Sequence, residues 1–141
     1  MHLIACCDGA AVPKNPGHMG AAYVLVDDAG SSIEARGLYL GWGTNNVAEY
    51  AGVGFAIRAA LAKGATSLDI RTDSQLVANQ VRGLWRVNAA HLARCQDRVH
   101  ELLNELVAWS ITWVPRRQNA DSDALANQAA KQRRTVEGVL Q

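Results

Sequence analysis

Apolar and polar residues follow two periods along this chain. Leu3 to Cys7 is a short apolar run that meets Asp8-Gly9, which predicts a strand followed by a turn. The stretch VPKNPG at 12–17 holds two prolines and a glycine and predicts a loop. Ala21 to Val26 is apolar and β-prone, Asp27 to Gly30 reads as a hairpin turn, and Ser32 to Leu40 returns with partial alternation. These three strands in succession predict an antiparallel meander. Gly41 to Thr44 is the next loop.

The period then changes. Val53, Ile57 and Leu61 recur at helical spacing in an alanine-rich segment that stops near Lys63-Gly64, with Asn46 as the expected N-cap. Leu68 to Thr72 predicts a fourth strand. Asp73-Ser74 opens a short helix that Gly83 ends, and a longer helix starts at Asn88 or His91, with Leu92, Val99, Leu102, Leu103 and Leu106 on one face. Ser110 to Val114 predicts a fifth strand, stopped by Pro115. Arg116 to Gln118 is a loop, and Asn119 to about Arg134 the last helix, with Leu125 and Ala129 inward. The order β-β-β-α-β-α-α-β-α predicts an α/β domain over 1–134 with a five-stranded mixed sheet flanked by helices. Its first three strands are antiparallel, and strands 1, 4 and 5 pair in parallel through helical crossovers. Residues 135–141 form a loose or partner-docked tail. In open sheets of this kind, sites form at the carboxyl ends of the strands, so Asp8 and Asp73 are expected side by side.

Composition narrows the class. With 141 residues, 49% of them hydrophobic, the chain suits one domain with one core. No apolar run approaches the roughly 18 residues that span a bilayer, and MHLIACCDGA lacks the pattern of a signal peptide. A soluble, cytoplasmic monomer without membrane association is expected. Three cysteines, two of them adjacent, make a poor disulfide framework and no zinc spacing; Cys6 and Cys7 are expected on opposite faces of a strand, Cys95 on a helix. Net charge is only +1, yet eleven of the fourteen cations are arginine and several are paired: 82 and 86, 94 and 98, 116 and 117, 133 and 134. Arginine suits bidentate phosphate contacts, although such pairs also occur on solvated helix faces.

Four carboxylates stand where segments end: Asp8 in CCDGA, Glu49 in TNNVAEY, Asp73 in RTDSQ and Asp123 in NADSDALA. Each has a plainer reading alone. Asp8 suits a turn, Glu49 a capping box with Asn46, Asp73 an N-cap, and Asp123 a helix first turn. Converged in one pocket, four carboxylates cannot all stay ionised without cations. The natural cation is hard and oxygen-loving, such as Mg²⁺, which points to metal-assisted phosphoryl chemistry on nucleic acid.

The segments DGAAVPKNPG, TNNVAEY, TDSQLVANQVRG and RRQNADSDALANQAA resemble, in order and spacing, ribonuclease HI of the ribonuclease H-like superfamily across about the first 130 residues. The resemblance implies an endoribonuclease that hydrolyses the RNA strand of RNA–DNA hybrids with two Mg²⁺ ions, or Mn²⁺ as substitute, leaving 5′-phosphate and 3′-hydroxyl ends. It implies Asp8, Glu49, Asp73 and Asp123 as catalytic metal ligands. Asp8 would bridge both ions, Asp123 hold the water-side ion, and Glu49 and Asp73 the leaving-group side. The family pattern of Asn, three residues, Asp, one residue, Leu-Ala matches Asn119, Asp123 and Leu125-Ala126, favouring Asp123 over Asp121.

By the same resemblance Asn15, Asn45, Asn46 and Gln75 would read the hybrid's minor groove, and Thr44 would grip a DNA-strand phosphate. Amides suit that task because each offers a donor and an acceptor. The PKNPG loop, one residue longer than in common bacterial members, looks like an archaeal-type branch. RGLWRVNAAHL is short and lacks the lysine cluster of the bacterial basic protrusion, with Trp85 open to stacking or burial. Many members carry a histidine before the last aspartate. Val114-Pro115-Arg116-Arg117 stands there instead, which makes Arg116 the candidate for that flexible role, by electrostatics since an arginine stays protonated. Cleavage of double-stranded RNA and non-catalytic nucleic-acid binding are the alternative activities on this fold.

Overall fold

Strand-forming residues open the chain, and they form longer strands than their apolar cores suggest. The structure, a computed structural model, describes residues 1–140. Strand β1 runs His2–Val12, β2 Gly17–Val26 and β3 Ser32–Gly43; they pair as the expected antiparallel meander. Helix α1 (Asn45–Ala62), β4 (Ser67–Thr72), α2 (Gln75–Val81), α3 (Ala90–Leu103), β5 (Ala108–Trp113), a 3₁₀ turn at Arg116–Gln118 and α4 (Ala120–Gln132) follow. β4 pairs in parallel with both β1 and β5.

The sheet has six strands, not five, in the order β5-β4-β1-β2-β3-β6. The sixth, β6 (Val136–Glu137), comes from the segment expected to be a loose or partner-docked tail. Arg133 adopts the left-handed conformation (φ 53°) that ends α4 and turns the chain back. Val136 is then buried beside β3, Gly138 N donates to Ala35 O at 2.8 Å, and Arg36 pairs with Glu137 at 3.0 Å. A two-residue strand carries too little pattern to show in the sequence. Gln141, the last residue of the expected tail, lies outside the described residues.

Asp8-Gly9 is not a turn. β1 loses its parallel partner where β4 ends, at the pair Cys7↔Thr72, but continues against β2 as far as Val12↔His18. Asp8 is therefore the first residue of β1 beyond the end of β4, next to the position Asp73 takes as the chain leaves it. Cys7 is buried and Cys6 half-buried, as alternation on a strand requires.

Helix α1 is apolar on most of its circumference because it lies between two layers. Val53, Ala56, Ile57 and Ala60 are wholly buried in a core that also takes Leu3, Ala5 and Leu25 from the sheet and Val99, Leu102 and Leu103 from α3. A second core lies on the other sheet face, where α4 buries Leu125, Ala126 and Ala129 against Ala22, Val24, Ala35 and Val136.

Two glycines let α1 approach β1 closely. A Cβ on Gly9 would stand 2.2 Å from the carbonyl carbon of Ala48, and one on Gly52 would stand 2.5 Å from Asp8 O. These contacts are backbone on backbone, so they cannot be relieved by a rotamer change. We predict that Gly9→Ala lowers the thermal midpoint by several degrees, since overpacking costs about 1–3 kcal/mol; an unchanged melting curve would show that α1 is free to move away.

Candidate active site

Four elements meet beyond the end of β4. β1 brings Asp8, the start of α1 brings Asn45, Asn46 and Glu49, the β4–α2 junction brings Asp73 and Ser74, and α4 brings Asp123 and Asn127. With Gly9, Ala10, Ala11 and Arg116 they line a cleft of about 290 Å³. Asp8, Glu49 and Asp73 each place a carboxylate oxygen so that all three lie within 4.8 Å of one another. Asp123 lines the same cleft from its α4 side, whereas Asp121 lines surface hollows beside Ser32.

The plainer readings of Glu49 and Asp73 do not hold. α1 is capped by Thr44, whose hydroxyl accepts from Val47 N at 3.3 Å, not by Asn46; Glu49 instead accepts from the backbone N–H of Gly9 through Oε1. Thr44 is better placed because the helix begins two residues earlier than a cap at Asn46 implies. α2 is capped by Ser74, which accepts from Val77 N at 3.1 Å. Asp73 is thereby left out of helix capping and points at its fellow carboxylates.

Burial sets the electrostatics. Asp8 is 3% exposed and Glu49 9%. Asp8 Oδ2 and Asp73 Oδ2 are both buried without a hydrogen-bond partner. Desolvation pushes the Asp8 carboxyl far above the usual carboxylate range, and the adjoining Glu49 and Asp73 add to the shift. Desolvation also raises Glu49, with Asp73 acting in the same direction; the hydrogen bonds to Asp8 and Gly9 and the charge of Arg116 oppose it. A cluster of this kind keeps protons or takes up cations. Its donors are all oxygen, two of them unsatisfied, which fits a hard divalent ion such as Mg²⁺.

Arg116 reaches this cluster. Its Nε lies 3.6 Å from Asp73 Oδ2, while 79% of its side chain stays exposed. The contact is long, so the guanidinium is free to leave it. Among the substrate residues expected from sequence, the structure places Asn45 and Asn46 exposed at the cleft. Asn15 lies outside the lining: its Oδ1 accepts from Asn45 N at 3.0 Å and holds the 13–16 loop to the start of α1. Thr44 and Gln75 also lie outside the lining, Thr44 as the cap and Gln75 exposed at the first position of α2. None of the four histidines lines the cleft.

Two asparagines were not singled out for what they do here. Asn127 Nδ2 donates to Asp123 O at 2.9 Å and to Asp123 Oδ1 at 3.3 Å. Its i,i+4 spacing from Asp123 on a helix is the signal that could have found it. Asn119, 2% exposed, donates from Nδ2 to Cys7 O at 2.7 Å and accepts from Ser122 Oγ at 2.8 Å. It fastens the start of α4 to β1 one residue before Asp8.

A family model described as Reverse transcriptase-like matches residues 6–129. The ribonuclease HI of Halobacterium salinarum is 43% identical over 122 residues, which cover 86% of this chain and 61% of that protein. The solved RNase H1 structure from Halobacterium salinarum superposes with a TM-score of 0.90 at 40% identity, covering 94% of this chain and 99% of that one. The chain belongs to the ribonuclease HI family. LC11-RNase H1, a family member solved in complex with an RNA/DNA hybrid, superposes with a TM-score of 0.87 at 29% identity, covering 93% of this chain and 98% of that one. The chain spans about three fifths of the curated Halobacterium relative.

The raised carboxyls set a pH dependence for the metal-free protein. A carboxyl whose pKa rises on folding stabilises the fold below its unfolded value, near 4, and that contribution is lost as pH rises toward the folded value. In EDTA, the thermal midpoint of the wild type is therefore expected to fall between pH 5 and pH 8 more steeply than that of Asp8→Asn. The variant should be the more stable of the two at pH 8. Parallel pH profiles would mean that Asp8 is solvated.

Proposed function

We propose that this protein hydrolyses the RNA strand of RNA–DNA hybrids, using two divalent cations, Mg²⁺ or Mn²⁺, and leaving 5′-phosphate and 3′-hydroxyl ends. The observation that carries this reading is the pair of buried oxygens of Asp8 and Asp73, neither with a hydrogen-bond partner, in a cleft they share with Glu49 and Asp123. Binding alone would gain nothing from anions facing phosphates. Divalent cations held by these four carboxylates supply a more acidic attacking water and positive charge at the leaving 3′-oxygen.

The chain's own residues supply position. Asn45 and Asn46 present exposed amides at the cleft, where donor and acceptor together suit base edges and 2′-hydroxyls. Asn15 fixes the backbone that carries them. Asn127 holds the Asp123 carboxylate. Arg116, weakly paired and exposed at the rim, brings a permanent positive charge toward an incoming phosphate. Family membership and the hybrid bound to LC11-RNase H1 support the hybrid as substrate.

The test is cleavage of matched RNA–DNA, RNA–RNA and DNA–DNA duplexes in Mg²⁺, Mn²⁺ or EDTA. Cutting of the hybrid's RNA strand with either ion, and none in EDTA, is the expected result. Hybrid cleavage that persists in EDTA would sink the metal mechanism, and preferred cutting of RNA–RNA would reassign the substrate. Asp73→Asn should keep its circular-dichroism spectrum and lose at least about a hundredfold in kcat, the scale of removing one electrostatic contact from a transition state. Arg116→Ala should turn over more slowly while binding the hybrid nearly as well; unchanged kinetics would return Arg116 to an exposed loop cation.

A further inference from the structure

Helix α1 carries one apolar stripe that the fold leaves only half-buried. Val47, Ala51, Gly54, Phe55 and Arg58 follow one another at i, i+4, i+7, i+8 and i+11, the spacing of a single helix face. They line a groove of about 380 Å³ whose other wall is α3, and it is larger than the carboxylate cleft. The two hollows share no lining residue.

The floor of the groove is apolar. Val47, Ala51 and Phe55 face Cys95, Val99 and Leu102, and the one hydroxyl in the lining, Tyr50, is turned inward to donate to Gln80 Oε1 at 2.6 Å. The rim is cationic. Arg58, His91, Arg94 and Arg98 are its charged or titratable members, and no carboxylate lines it among the described residues. Arg98 is partly balanced by Glu101, at 3.1 Å.

Gly54 is the second, independent observation. A Cβ there would meet nothing within 4 Å, and the residue has ordinary helical backbone. Neither close approach nor a left-handed turn accounts for it, in contrast to Gly9 and Gly52. A mid-helix glycine is destabilising relative to alanine. Here its one structural consequence is a deeper groove floor.

We propose that the groove between α1 and α3 docks an acidic amphipathic helix of a protein partner. Apolar side chains at i, i+3 or i+4 and i+7 of that helix would enter between Gly54, Phe55 and Val99, and its flanking carboxylates would meet Arg58 and Arg94. Charge complementarity selects the acidic partner. The lack of outward amide and hydroxyl groups in the floor disfavours a nucleic acid, whose bases would find only apolar surface there. The proposal does not rest on hybrid cleavage, because the groove lies outside the cleft.

The probe is a fluorescein-labelled, helix-forming peptide with leucines at i, i+3, i+4 and i+7 and glutamates elsewhere, titrated with the full chain by anisotropy. A peptide with lysine in place of every glutamate is the control. Saturable binding of the acidic peptide is expected, at least tenfold tighter than that of the lysine peptide. It should weaken at least tenfold in Gly54→Leu, which fills the floor, and in Arg58→Glu with Arg94→Glu, which reverses the rim. Gly54→Ala should melt higher than the wild type, showing that the position is free of packing demands. Hybrid cleavage by Gly54→Leu should match the wild type, so loss of peptide binding and loss of cleavage are read separately. The proposal is overturned by absence of saturation, by equal binding of the lysine peptide, by undiminished binding in both groove variants, or by displacement of the peptide by a short RNA–DNA hybrid.

Discussion

Two carboxylates fixed side by side in a desolvated corner are the constraint on which this structure turns. Asp8 and Asp73 follow the paired residues Cys7 and Thr72, so the parallel register of β1 and β4 sets their spacing. Glu49 is held against them through the Gly9 N–H, and neither buried Oδ2 of the two aspartates has a hydrogen-bond partner. Such a cluster is costly to fold unless protons or cations neutralise it. Cores on both faces of the sheet hold it nonetheless: α1 and α3 pack on one side, α4 on the other.

The backbone devices around the site serve that placement. Gly9 and Gly52 let α1 lie against β1, which puts the Glu49 backbone within reach of β1. Asn119 ties α4 to Cys7 O, so Asp123 enters from the opposite sheet face at a fixed offset from Asp8. Thr44 and Ser74, not Asn46 and Asp73, cap α1 and α2, which leaves the amide and the carboxylate facing the cleft. Helix α1 then divides its faces: Asn45, Asn46 and Glu49 serve the cleft, while Val47, Ala51, Gly54, Phe55 and Arg58 line an arginine-rimmed groove.

Much of this was legible in the sequence, for reasons that differ between residues. The meander, the parallel pairing of strands 1, 4 and 5 and the order of helices follow from periodicity and turn residues, and the family from four motifs in order. The continuation of β1 through Asp8 was not legible, because Asp8 to Ala11 are all poor β-formers and their strand character comes from pairing with β2. β6 was hidden because two residues show no period and their order depends on contact with β3. Thr44 and Asn46 both make good caps, and only the helix start decides between them. The groove was invisible for the opposite reason: its apolar stripe reads as core, and only the placement of α3 shows that part of it is left open.

Burial favours the protonated forms of Asp8 and Glu49, the residues proposed to hold cations. Ligands that must be deprotonated release those protons as the metal enters. The direct measurement is the heat of Mn²⁺ binding at pH 7 in two buffers of different ionisation enthalpy. The account predicts a buffer-dependent enthalpy that reports net proton release, and a smaller release from Asp8→Asn. Mn²⁺ binding with the same enthalpy in both buffers would contradict it, because the carboxylates would then already be ionised and solvated before the cation arrives.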